Sequence, residues 1–109
     1  KLTGDGLGGR NQEIALAAAA EISGKRNLAV FSIGSDGTDG PTDAAGGYVD
    51  GDSACALQQQ GISIADVLRR NDAYHGLAAC DGLLITGPTG TNVNDVSVVL
   101  IDPEAGKQE

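Results

Sequence analysis

The sequence has no methionine and no tryptophan, and its aromatic residues are two tyrosines and one phenylalanine. A core without large rings must be filled with Ala, Val, Ile and Leu. The 17 glycines then shape many of the turns between elements. Lacking an initiator methionine and opening on Lys1, the chain is expected to be a piece of a longer protein or a processed product. No apolar run approaches the ~20 residues a membrane-crossing helix needs, and no signal peptide is visible, so no membrane partner is expected and a cytoplasmic location is. Cysteine is scarce. Cys55 and Cys80 each sit among small apolar residues and are expected as buried free thiols rather than a disulfide. Without CxxC or a Cys/His cluster, a structural zinc site is excluded.

Positive charge is also in short supply. Seven Lys and Arg stand against fifteen Asp and Glu, for a net charge of −8. Such a surface repels phosphate backbones and anionic lipids, so no nucleic-acid partner is expected. One Arg and a few backbone N–H groups can still hold a small anion locally. What is present is 109 residues at 40% hydrophobic, enough for one domain with one core.

Along the chain, helices alternate with apolar strands. Asn11 reads as an N-cap with Glu13 in the first turn, and Ile14 to Ile22 as a helix that stops at Ser23-Gly24. Leu28 to Ile33 is apolar nearly throughout, as in a strand buried on both faces of a parallel sheet. A long loop spans 34–47, and Tyr48-Val49 reads as a short edge strand. Helices are expected over 53–60, closed by Gly61, over 64–70 with a capping box at Ser63 and Asp66, and over 73–80. Leu83 to Ile85 and Val96 to Ile101 read as further strands, and residues 102–109 as a charged, frayed tail. The pattern predicts an α/β fold: a layered helix–sheet domain with a mainly parallel or mixed sheet.

Three polar, glycine-rich segments stand out: GDGLGGRNQE before the first helix, SDGTDGPTD after the first strand and TGPTGTNVND after the next. If the strands are parallel, these segments gather at one sheet edge, where α/β ligands bind. Gly4, Gly6 and Gly9 match GxGxxG, but only Lys1-Leu2-Thr3 precede it and no acidic residue lies at a strand end about 20 positions on, so a dinucleotide site does not follow. Gly8, Gly9 and Asn11 flank Arg10 at a helix start that can meet an anion. The Arg10 guanidinium suits carboxylate or phosphate, or else pairs with a surface acid. Asp36, Asp39 and Asp43 crowd into eight residues with Thr38 among them. A cation, an Arg or backbone N–H groups would relieve their repulsion. Asp36 and Asp39 are the candidate Mg²⁺ ligands, and Asp36 is the candidate base at a reacting hydroxyl. Turn capping by each Asp is the plain alternative. Gly90, Thr91 and Asn92 lack a Walker lysine but can form a nest for an anion. His75, the only histidine, reads as structural.

The blocks GGRNQE, GSDGTDGPTDAAGGYVDG, RNDAYHGL and TGPTGTNVND occur in this order. Through them, over about Leu2 to Ile101, the sequence resembles the MOFRL domain, the C-terminal domain of class II glycerate kinases, also described as hydroxypyruvate reductases. Tyr74-His75 is a minor departure from the family's pattern. The resemblance implies a two-domain enzyme whose site lies between this domain and a larger N-terminal Rossmann-like domain. It implies ATP-dependent phosphorylation of D-glycerate, a small hydroxy acid, to 2-phosphoglycerate with Mg²⁺. It carries site roles onto Arg10 and Asp36. The catalytic lysine it expects in the N-terminal domain has no counterpart here, so the isolated chain is expected to be inactive. The alternatives are a reductase using NAD(P)H and a non-catalytic packing or oligomerisation module.

Overall fold

The computed structural model describes residues 6–25, 27–34, 43–86 and 95–101. Elements follow the order α1 (Arg10–Glu21), β1 (Leu28–Gly34), β2 (Gly46–Asp50), α2 (Ser53–Gln59), α3 (Ile64–Arg69), α4 (Ala73–Ala79), β3 (Leu83–Leu84) and β4 (Asp95–Ile101). The three short helices fall within a residue of their predicted ends. Ser63 Oγ accepts the N–H of Asp66 at 3.2 Å, as a capping side chain should. Among the described residues no helix is long and apolar enough to cross a membrane.

The four strands form one sheet in the order β3-β2-β1-β4, and every neighbouring pair is antiparallel. The α/β layering is as expected; the parallel or mixed sheet is not. The apolar runs suggested strands covered on both sides, but they reflect something else. On β1, Val30, Ser32 and Gly34 are buried, while Ala29, Phe31 and Ile33 on the opposite face are only half-buried. Apolar side chains thus occupy both faces although the helices cover one. Nor is the Tyr48-Val49 segment an edge. It belongs to β2, which lies between β1 and β3.

The core sits between α1, α4 and the covered face of β1 and β2. Leu16, Leu57, Leu77 and Val49 are fully buried there, with Ala15, Ala19 and Val30. Each such leucine contributes roughly 1.5–3 kcal/mol relative to an exposed one. Small residues make the contact close. A Cβ built on Gly47 would lie 2.6 Å from Leu77 Cδ1 and 3.0 Å from Ala15 Cβ, so the absence of a side chain lets both helices reach the sheet. The cysteines are free, as expected, but not both buried. Cys80 is half-buried, and burial pushes its thiol pKa up. Cys55 is exposed, because Leu57 and not Cys55 faces the core from α2.

Candidate functional site

Strand direction alternates across the sheet, so β1 and β3 run the same way with β2 between them. Their carboxyl ends therefore lie at one end of the sheet, beside the amino ends of β2 and β4. The register shows this directly. Gly34 pairs with Asp95, the Gly34 N–H donates to the Ala45 carbonyl at 2.8 Å, and the Ala45 N–H donates to the Leu84 carbonyl at 2.7 Å. Residues 35–42 and 87–94 are both rooted on this row. The expected gathering of polar segments thus holds at their anchor points, through alternate strands of an antiparallel sheet rather than neighbouring parallel ones.

The start of α1 reaches the same end. Gly9, and not Asn11, is the N-cap, and its carbonyl accepts the Glu13 N–H at 3.0 Å. The Arg10 Nε pairs with Asp95 Oδ2, with the Arg10 side chain 77% exposed and that of Asp95 33%. The hydrogen bond from Arg10, and then one from Asn11, hold the Asp95 carboxyl below its ordinary pKa. Asn11 is displaced from the predicted cap because its side chain is buried. Its Oδ1 accepts from Ser32 Oγ at 2.6 Å, and Ser32 Oγ lies 2.8 Å from Ser97 Oγ. Ser32 has one hydroxyl hydrogen and gives it to Asn11, so Ser97 is the donor in the second bond. A polar chain thus runs from Ser97 through Ser32 and Asn11 to Asp95, where it meets Arg10.

A second set of bonds fixes the segment leading into α1. The Gly6 N–H donates to the Arg70 carbonyl (3.0 Å), the Leu7 N–H to Asp72 Oδ1 (2.9 Å), and the Tyr74 N–H to the Leu7 carbonyl (2.9 Å). A Cβ on Gly6 would lie 2.4 Å from that of Asp72, and one on Gly8 would lie 3.2 Å from the Ala73 nitrogen. Gly6 is needed for close approach to the α3–α4 turn, which accounts for one glycine of the GxGxxG pattern without a nucleotide, and Gly8 packs tightly beside it. Nearby, Tyr74 Oη donates to Asp43 Oδ1 at 2.7 Å, and that bond lifts the phenol's pKa.

Of the predicted site residues, Gly8, Gly9, Arg10 and Asn11 come together here. Asp36, Thr38, Asp39, Gly90, Thr91 and Asn92 lie outside the described residues. Sequence reasoning missed Asp95 as the partner of Arg10, and Ser32 and Ser97 as links. One signal was available: each serine is a lone polar residue inside an apolar strand. Among the described residues no group of three His, Cys, Asp or Glu is placed to hold a metal ion, and Asp43 and Asp95 are already engaged by Tyr74 and Arg10. These residues do not by themselves make a Mg²⁺ site. A groove of ≈ 430 Å³ beside Ala54, Gln58 and Ile62 lies away from this end, on α2 and the turn after it, and no charged residue lines it.

Known proteins place this geometry. The model of the MOFRL family matches residues 1–95. The D-glycerate 2-kinase of Thermotoga maritima is 54% identical over 98 residues, covering 90% of this chain and 24% of that protein. The glycerate 2-kinase of Pyrococcus horikoshii is 48% identical over 102 residues, covering 94% of this chain and 23% of that protein. A crystal structure of glycerate kinase from Thermotoga maritima superposes with a TM-score of 0.91 at 52% identity, over 93% of this chain and 24% of that one. The chain thus spans about a quarter of the length of these relatives. With one family model running from its first residue into β4, and the same backbone recurring in a solved relative, the chain belongs to the MOFRL family.

Proposed function

We propose that this chain supplies one side of the active site of an ATP-dependent glycerate 2-kinase, which converts D-glycerate to 2-phosphoglycerate. The observation that carries the reading is the Arg10–Asp95 pair, set at the end of the sheet where both long polar segments are anchored. The names of the relatives support the choice of reaction. In this reading Asp95 orients an exposed guanidinium, and Arg10 binds the substrate carboxylate or a phosphate through planar paired donors. Asn11, buried beneath, holds Asp95 in place. Asp36 takes the proton of the glycerate hydroxyl as its oxygen bonds to the γ-phosphorus. The bond from that phosphorus to the leaving ADP oxygen breaks in the same displacement. Thr38, Gly90, Thr91 and Asn92, with the Gly8 and Gly9 backbone, line the phosphates. Bound Mg²⁺ would neutralise developing phosphate charge, with Asp36 and Asp39 as its proposed ligands.

The rest of the enzyme, in the same reading, is an N-terminal domain that closes the site and brings the catalytic lysine. The single domain described here is its C-terminal partner and has no turnover alone. Arg10→Ala in the full-length kinase should lower kcat/KM for glycerate about 100-fold or more, as loss of a positioning clamp does, with unfolding unchanged. A coupled assay with ATP and glycerate reads this out, run beside one with NAD(P)H and hydroxypyruvate. Full phosphorylation by the variant, or turnover only in the second assay, would sink the proposal.

A further inference from the structure

The block RNDAYHGL is not used by the reading above, and the structure gives it work. Its first three residues form the α3–α4 turn against which the start of α1 is built, and the rest lie in α4. Asn71 takes a left-handed conformation there, φ 57°, and its Nδ2 donates to Glu13 Oε2 at 3.1 Å. Asp72 follows, with its side chain only 11% exposed. Its Oδ1 accepts the Leu7 N–H and lies 2.7 Å from His75 Nδ1, while Oδ2 accepts from Arg70 Nη2 at 3.2 Å. An ionised carboxylate only accepts, so His75 Nδ1 carries the hydrogen. Burial alone would raise the Asp72 pKa, but Leu7, His75 and Arg70 together lower it, so the group is held as a carboxylate.

We propose that Asp72 is a positioning residue. By accepting the Leu7 N–H, it fixes the segment from Gly6 to Gly9 and so places Arg10 at the ligand end of the sheet. Only Gly8 and Gly9 separate Leu7 from Arg10, and they have no side chains to hold them. Backbone bonds from the Gly6 N–H and to the Leu7 carbonyl also hold this stretch, but the Asp72 bond is the one next to the glycine pair on its amide side, and without it the first turn of α1 would start from a looser base. His75 and Arg70 act on Asp72 from its solvent side and keep both oxygens aimed. What Arg10 touches rests on the kinase reading; the anchoring does not.

Amide hydrogen exchange on this chain separates the two. Asp72→Ala should speed exchange at Leu7 and Gly8 about tenfold or more, while Leu16 and Val30 in the core keep their rates. Asp72→Asn keeps an acceptor but loses the charge that strengthens the bond, so the same amides should speed up only a few-fold. Unchanged rates at Leu7, or a uniform rise across all amides, would overturn the proposal. If Asp72→Ala does not fold, Asp72→Asn decides by the same two patterns.

In the full-length kinase, Asp72→Ala should lower kcat about tenfold or more at equal folded fraction, and Asp72→Asn should restore most of it. If Arg10→Ala abolishes phosphorylation but folded Asp72→Ala keeps full kcat, the positioning role is wrong and the kinase reading stands. If Arg10→Ala keeps full activity, the kinase reading is wrong and the exchange rates still judge the anchor.

Discussion

The first turn of α1 and its second half belong to one helix but are built on opposite principles. From Ala15 onward the buried side is Ala15, Leu16 and Ala19, all fully buried and none with a polar atom. The first turn buries Asn11 and Gln12 equally deeply and sets Arg10 beside them in solvent. One end is held by shape, which many apolar residues can supply. The other is held by hydrogen bonds whose direction and length admit few substitutes. A helix anchored by tight packing at one end can carry a demanding polar arrangement at the other.

Substitutions can break this contrast at either end. The largest effect on stability should come from Leu16→Ala in the shape-held half. It should cost about 2–5 kcal/mol in urea unfolding, by lost burial and a cavity. The full-length variant, where folded, should keep its KM for glycerate. Asn11→Ala should cost less, about 1–3 kcal/mol, because it removes the acceptor of the buried Ser32 hydroxyl and one donor to Asp95. If Asp95 orients Arg10 as proposed, the substitution should also lower phosphorylation by the full-length protein. Equal loss of activity in Leu16→Ala and Asn11→Ala would erase the distinction between the two halves.

The smallest effect is on acid stability. Asp95 and Asp72 are both held below the ordinary value of 3.8. A carboxyl whose folded pKa is depressed adds stability that is fully present above its unfolded value and fades as pH falls through the folded one. Urea midpoints measured from about pH 6 to about pH 2 should therefore decline below the ordinary carboxylate range. Asp95→Asn should lower the midpoint slightly near neutral pH, leave it little changed near about pH 2, and so flatten that decline. An unaltered acid slope would mean the Arg10 pair contributes nothing to the fold.

Much of this architecture could be read from the residues alone. The helices over 53–59, 64–69 and 73–79 were legible because caps and periodic apolar positions are local signals. Strand positions were legible for the same reason. Direction and neighbours were not. LAVFSI has the same composition whether its partner runs parallel or antiparallel, and pairing is decided by residues far away in sequence. The site was legible in part. Arg10 stood out by its glycine-rich setting, but its partner Asp95 lies 85 positions away. Asn11 was misplaced as a cap because Asn is a good cap by propensity, and only the fold reveals Ser32 above it. Asp36 and the other loop residues remain expectations from motif alone.

Alternating strand direction has one more consequence. At the far end of the sheet the chain passes from β2 to α2 through Gly51 and Asp52 alone. At the near end, Gly34, Ala45, Leu84 and Asp95 are locked to one another in a row across all four strands. The described core, from Leu16 and Leu57 to Leu77 and Val49, is therefore built from helix and strand residues on the body side of that row. The residues that hold this domain together thus stand apart in sequence from the two glycine-rich segments that the four locked positions bracket.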